Sequence, residues 1–124
     1  MLDKLTTILI VPSIEPCLPA WQALGYSVAV RVPEKGTLGF VILAGKAGEL
    51  MLQTAASLAE DLPAIAKREP DHLLYADVPS LAKATKVLET AKVLVPERKT
   101  FYGANEIWFE LPGGAILGAA ERSG

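Results

Sequence analysis

The sequence Phe101-Tyr-Gly-Ala-Asn-Glu-Ile-Trp-Phe-Glu-Leu-Pro-Gly-Gly-Ala-Ile-Leu-Gly-Ala-Ala-Glu121 predicts the architecture of this chain more directly than any other segment. Two runs rich in apolar and aromatic residues flank Leu111-Pro-Gly-Gly114, a pattern typical of a β-hairpin. Proline presets φ at an early turn position, and glycine supplies the positive φ that a later position needs. Because an apolar hairpin is not stable alone in water, we expect other elements to cover at least one of its faces.

The composition is that of one domain. The chain has 124 residues, of which 51% are hydrophobic, enough to build a substantial core. A net charge of −2 and the absence of a lysine and arginine run argue against a nucleic-acid partner, which requires a basic face. Cys17 is the sole cysteine, so an intrachain disulfide, and with it a secreted disulfide scaffold, is excluded.

The hydrophobic residues are not arranged for a membrane. The N-terminal residues lack the apolar core of a signal peptide. No apolar run approaches the roughly twenty residues that span a bilayer. The sequence therefore predicts a cytoplasmic protein with no membrane partner.

A similar short motif between a strand and the following helix occurs twice. Val11-Pro-Ser-Ile14 and Val78-Pro-Ser-Leu81 are 67 residues apart, and in each case a strand precedes the motif and a helix follows it. The predicted strands lie at residues 5–11, 26–32, 39–44 and 49–53, then at 72–78, 93–98, 102–110 and 115–120, with helices at about 17–24 and 81–91. Two copies of one β-α-β-β-β unit pack together when neither can bury its apolar face alone. We therefore predict a single domain of two modules, about 5–53 and 72–121, joined by a helical connector at about 54–71.

Local signals mark the helix boundaries. Ser13 is the predicted N-cap of the first helix, and Thr54 or Ser57 that of the connector. Pro63 is expected either to split the connector or to begin a second helical piece.

Three motifs on this repeat resemble one known family. They are Ala20-Trp-Gln-Ala-Leu-Gly-Tyr26 at the end of the first helix, Leu50-Met-Leu-Gln53 in the fourth strand, and the final hairpin with Tyr102, Trp108 and Gly118. Together they are similar to the vicinal oxygen chelate superfamily, which includes glyoxalases, extradiol dioxygenases and bleomycin-binding proteins. The resemblance covers about residues 5–121. It implies an α+β fold in which two βαβββ modules form curled mixed sheets around a cleft, with the helices outside, often in a homodimer.

Enzymes of that superfamily commonly hold a divalent metal ion through the first and last strand of each module. Counting along the matched strands places Thr6, Met51, Leu73 and Gly118 at those positions. Hard and borderline cations prefer carboxylate or imidazole ligands, so no metal site and no cofactor are expected. His72 is one residue away from Leu73, and a shift of one residue turns a side chain to the opposite face of a strand. Glu49, Glu106 and Glu121 are also near these positions without occupying them.

The resemblance implies a cleft lined by aromatic and small side chains. The predicted cleft residues are Thr6, Met51, Gln53, Leu73, Tyr75, Phe101, Asn105, Trp108, Phe109 and Gly118. The parity of the last loop leaves two alternatives for the hairpin. An even loop places Phe101, Asn105, Ile107 and Phe109 on the face of Gly118, whereas an odd loop places Tyr102, Glu106 and Trp108 there.

Three functions are compatible with this pattern. The first is a bleomycin resistance-like protein that binds a small hydrophobic or amphipathic molecule without a metal. The second is a lyase, isomerase or dioxygenase-type enzyme with a displaced metal site or a carboxylate base, for which Asp77, Glu106 and Glu49 are candidates. The third is a structural homodimer with a vestigial cleft, which predicts a filled pocket and a large apolar interface.

Overall fold

The computed structural model describes residues 1–122, which divide into two compact units. The first unit is Thr7–His72, and the second combines Met1–Thr6 with residues 73–122. Each carries the predicted order of one strand, one helix and three strands, so the α+β class is confirmed.

The first unit holds most of β1 (Lys4–Val11), followed by a 3₁₀ turn (Glu15–Cys17) and α1 (Leu18–Ala23). Its other strands are β2 (Ser27–Val32), β3 (Phe40–Gly45) and β4 (Gly48–Thr54), followed by α2 (Ala55–Asp61) and α3 (Pro63–Ala66). The strand order is β2-β3-β4-β1, with β1 parallel to β4 and the other pairs antiparallel. One sheet face packs into a fully apolar cluster that includes Ile14, Val41, Leu43 and Leu52.

The second unit contains β5 (His72–Asp77, whose first residue belongs to the first unit), α4 (Leu81–Val87) and β6 (Lys92–Lys99). It ends with β7 (Ala104–Glu110) and β8 (Ile116–Arg122). The order β5-β8-β7-β6 repeats that of the first unit, again with one parallel pair, β5 and β8. Beneath α4, the side chains of Leu81 and Ala84 pack with Ile107, Phe109 and Leu117.

The helix boundaries differ from the prediction in two places. Ser13 is not the cap of the first helical segment: Ile14 holds the N-cap position without a side-chain hydrogen bond, because Pro16 opens a 3₁₀ turn there. The second-module helix ends at Val87 rather than at residue 91. The connector agrees with the prediction, since the Thr54 hydroxyl accepts a hydrogen bond from the Ser57 N–H and Pro63 begins α3.

Among residues 1–122, no helix is both long enough and apolar enough to cross a membrane.

Candidate functional site

The last hairpin follows the odd-loop alternative. Five residues, 111–115, separate β7 from β8, and Trp108 lies directly opposite Gly118. Glu106 shares the face of Trp108, whereas Ile107 and Phe109 turn to the opposite face and pack beneath α4. The face that carries Gly118 therefore has a carboxylate at its centre.

That carboxylate is fully buried and densely hydrogen-bonded. Glu106 is 0% exposed. Its Oε1 accepts hydrogen bonds from Arg98 Nε at 2.9 Å, Arg98 Nη2 at 2.6 Å and Trp108 Nε1 at 2.9 Å. Its Oε2 accepts from the hydroxyls of Tyr75 at 2.7 Å and Tyr102 at 2.8 Å. These five residues are called the Glu106 network below.

The network is balanced in charge and holds both tyrosines neutral. The Arg98 guanidinium compensates the buried carboxylate directly. Burial, followed by the negative charge of Glu106, raises the pKa of Tyr102 to about 12. The same two causes raise the pKa of Tyr75 further. Both hydroxyls therefore remain protonated donors to the carboxylate throughout the physiological range.

The raised tyrosine pKa values predict a loss of stability in alkali. Above pH 10 the unfolded chain releases tyrosine protons that the folded chain retains, so the unfolded state binds fewer protons and stability falls as the pH rises. Urea unfolding measured from pH 9 to pH 11 is expected to show this decline. The slope should be smaller in Tyr102→Phe, which removes one of the shifted groups, and an unchanged slope would contradict the assignment.

The space beside Gly118 is occupied by the indole of Trp108. A Cβ added at Gly118 would lie 2.7 Å from Trp108 Cε2 and Cζ2 and 2.8 Å from Cη2. The Trp108 ring also packs against Tyr75, with 5.9 Å between the ring centroids. In the second unit, the space beside Gly118, one of the predicted cleft residues, is therefore filled by the chain itself.

The corresponding face of the first unit has a different character. Strand register places Val30 opposite Ile42 and Ile42 opposite Met51, and likewise Val32 opposite Phe40 and Phe40 opposite Gln53. Cross-strand partners share a face. We call this surface the open face; its members are Val30, Val32, Phe40, Ile42, Met51 and Gln53. Val30 is 45% exposed and Val32 36% exposed, and Phe40 and Ile42 are partly exposed.

Equivalent register positions show how the two faces differ. Ile42 pairs with Met51 as Trp108 pairs with Gly118, and Phe40 lies two residues before Ile42 as Glu106 does before Trp108. Val32, opposite Phe40, takes the place of Arg98, opposite Glu106. The ion pair and indole that close the second unit's face are thus replaced by apolar side chains in the first.

A single polar group interrupts the open face. Gln53 is 7% exposed, and its Nε2 donates a hydrogen bond to Ser57 Oγ at 3.2 Å. The α2 helix, which carries Ser57, therefore fixes the orientation of the amide.

The residues at the four expected metal positions do not fit a divalent cation. They offer one hydroxyl from Thr6 and one thioether from Met51, with no donor from Leu73 or Gly118. Within residues 1–122, no three histidine, cysteine, aspartate or glutamate side chains are grouped so that they could hold a metal ion. The side chain of His72 is 56% exposed and its Nδ1 lies 2.6 Å from Asp71 Oδ1, a pairing that lowers the pKa of Asp71.

Three of the predicted cleft residues lie away from the face of Gly118. Phe109 belongs to the core beneath α4, and Asn105 lines a hollow on the same side. Phe101, at the β6–β7 turn, is 86% exposed and stacks edge-on with Tyr102. The even-loop alternative, which would place them on the Gly118 face, does not apply because the loop after β7 has an odd number of residues. Ligand binding by these three residues stays a prediction.

The other predicted residues are buried. Thr6, Leu73, Tyr75 and Trp108 are buried in the second unit, and Met51 and Gln53 in the first. Sequence reasoning missed Arg98 and the four members of the open face that are at least partly exposed. The signal for these four residues is the alternation of side chains between the two faces of β2 and β3. A register shift between Val28 and Val30 obscures it.

Several solved structures share this fold. A glyoxalase/bleomycin resistance protein/dioxygenase superfamily member from Vibrio splendidus is 14% identical, with a TM-score of 0.71, and the match covers 95% of this chain and 97% of that one. Methylmalonyl-CoA epimerase from Mycobacterium tuberculosis is also 14% identical, with a TM-score of 0.71 and coverage of 99% and 90%. A 2,3-dioxygenase from a Pseudomonas species is 13% identical, with a TM-score of 0.63, and this chain covers 43% of it. At these identities the likeness shows the fold.

In sequence comparison, no family model and no curated protein matches the chain.

Proposed function

We propose that this chain, which has the fold of the vicinal oxygen chelate superfamily, binds a small, partly apolar molecule on the open face without a metal ion. The observation that carries the proposal is the contrast between two equivalent sheet faces. The Glu106 network closes one, while the other exposes Val30 and Val32 beside the partly buried Phe40 and Ile42. Apolar side chains with one placed polar group are the usual make-up of a small-molecule site.

The energetics favour an apolar ligand. Removing apolar surface from water contributes about 25 cal/mol per Å², and the ring of Phe40 adds a stacking surface for a planar ligand. The amide of Gln53 supplies a hydrogen-bonding group that orients such a ligand. No carboxylate or cation lies at these six positions, so we expect neutral compounds to bind best.

The geometry of Glu106 argues against its use as a catalytic base. Both carboxylate oxygens already accept hydrogen bonds from Arg98, Trp108 and the two tyrosines, and the side chain is inaccessible to solvent. A general base must reach the proton that it abstracts. Proton transfer by Glu106 would require the network to be dismantled, and we therefore favour binding over catalysis.

The proposal predicts that polar substitutions on the open face weaken binding. In calorimetric titrations of chelator-treated protein with a panel of neutral aromatic and aliphatic compounds, we expect Val30→Thr and Ile42→Thr each to reduce affinity by about threefold to tenfold, as for the loss of one buried methyl group. Threonine keeps the β-branched shape that strands prefer.

Val93→Thr is the matched control, because Val93 is 50% exposed on the edge strand of the second unit. It should leave affinity unchanged. Equal losses in all three variants, or the absence of binding across the panel, would contradict the proposed site. Stoichiometric metal in protein purified without chelator would contradict the metal-free part of the proposal.

A further inference from the structure

The helix side of the second unit contains a hollow that the proposed function does not use. Its volume is about 490 Å³, within the range of about 300–1,000 Å³ of small-molecule pockets. Leu81 and Ala82 of α4 and Ile107 of β7 form its apolar wall. We call it the α4 hollow.

Acidic, amide and hydroxyl groups form the rest of the wall. Glu97, Asn105, Glu121 and Thr85 all line the α4 hollow. One oxygen of Glu121 accepts a hydrogen bond from the Leu81 N–H at 2.6 Å. Within residues 1–122, the side chains of Glu97 and Asn105 form no hydrogen bond and no lysine or arginine lines the hollow. Lys99, the cation paired with Asn105 in the strand register, lies outside it.

The first unit shows what fills the equivalent place. Ile14 corresponds to Leu81 through the repeated Val-Pro-Ser motif, and Val41 corresponds to Ile107 because each lies opposite a matching residue of the last strand. In the first unit, Leu38 packs in one buried cluster with Ile14 and Val41. The Leu38 N–H also donates a hydrogen bond to the Glu15 carboxylate at 2.8 Å. In the first unit, the branched side chain of Leu38 therefore fills this position, and its backbone N–H donates to a carboxylate.

The second unit has no such filling. The residue that corresponds to Leu38 is Ala104, which lies two residues before Glu106 as Leu38 lies two residues before Phe40. Alternation along β7 places Ala104 on the face of Glu106, so its methyl group points away from Ile107 and from the hollow. The connection from β6 to β7 is also shorter, residues 100–103 against residues 33–39 in the first unit. For these two reasons the α4 hollow stays open in the second unit.

We propose that the α4 hollow binds a small branched aliphatic ammonium compound, whose alkyl group packs against Leu81 and Ile107 and whose nitrogen donates to Glu97 or Glu121. The alkyl group takes the place that Leu38 holds in the first unit. The positive charge is selected because carboxylates, and no cations, line the hollow.

The test is a titration of the full chain, labelled at leucine and isoleucine methyl groups, with isopentylammonium chloride. We expect saturable NMR shifts at Leu81 and Ile107 with a dissociation constant of about 1 mM, the affinity expected of so small a ligand. The anion 4-methylpentanoate has the same branched alkyl group and should not bind. Equal binding of the two ions, or no saturable shift at either residue, would overturn the proposal.

Variants locate the site. Ala82→Leu extends a branched side chain into the hollow beside Leu81 and should abolish the shifts, whereas Lys83→Leu, at the next position of the same helix, should bind as the native chain does. Glu97→Gln should weaken ammonium binding by about twofold to fivefold, as for an exposed ion pair. Undiminished binding in Ala82→Leu would place the ligand elsewhere and contradict the assignment. The comparison of the two ions needs no variant, so it decides the matter even if Ala82→Leu does not fold.

Discussion

Replacing Arg98 with methionine is expected to lower the free energy of unfolding by about 3–5 kcal/mol, the usual effect of removing one partner of a buried ion pair. Arg98 donates two hydrogen bonds to Glu106, which is wholly inaccessible to solvent. Methionine preserves much of the length of the side chain but leaves the carboxylate uncompensated. Chemical unfolding at neutral pH measures the loss.

A double-mutant cycle separates the ion pair from packing. Combining Arg98→Met with Glu106→Gln removes both charges, so the double variant should be about 1–3 kcal/mol more stable than the sum of the two single changes predicts. Arg122→Met is the control, because Arg122 is exposed and its Nε lies at the longer distance of 3.4 Å from Asp77 Oδ1. Its effect should not exceed about 1 kcal/mol. Additive single changes would show that the Glu106 network is not coupled.

Gly118→Ala is expected to destabilise the chain by about 1–3 kcal/mol, the range for overpacking a filled core. The added methyl would meet three atoms of the Trp108 ring at 2.7 to 2.8 Å. No strain in the backbone conformation contributes, because Gly118 is not among the glycines with positive φ. The penalty arises from steric overlap alone, and thermal or urea unfolding measures it.

A smaller ring should relieve that penalty. Trp108→Phe removes the outer indole atoms, so Gly118→Ala should cost less in that background than in the native chain, a coupling expected for residues in contact. Gly39→Ala is the matched control, because its Cβ would lie 3.4 Å from Ser57 Cβ, an ordinary contact. A Gly118→Ala variant as stable as Gly39→Ala would show that the space beside Gly118 is open.

The fold could be predicted because its signals are local. Runs of β-branched and aromatic residues indicate the strands, and the Val-Pro-Ser repeat relates the two units. The helix ends were less predictable. Pro16 converts the start of the first helix into a 3₁₀ turn, and α4 ends one turn earlier than its apolar pattern suggests.

The candidate site could be predicted only in part because burial and pairing are properties of the folded chain. Loop parity reduced the hairpin to two alternatives, and the structure selects the one with Glu106 and Trp108 on the Gly118 face. Arg98 was missed because its partner lies eight residues away across a strand pair with two register shifts. The homodimer implied by the family resemblance stays a prediction.

Methyl NMR of the metal-free chain tests the central claim most directly. With chelator present, titration with a neutral aromatic compound selected from the panel should shift the methyl groups of Val30, Val32, Ile42 and Met51 in a saturable manner while leaving those of the second unit in place. Shifts that appear only after a divalent cation is added, or that spare all four of these residues, would contradict the account.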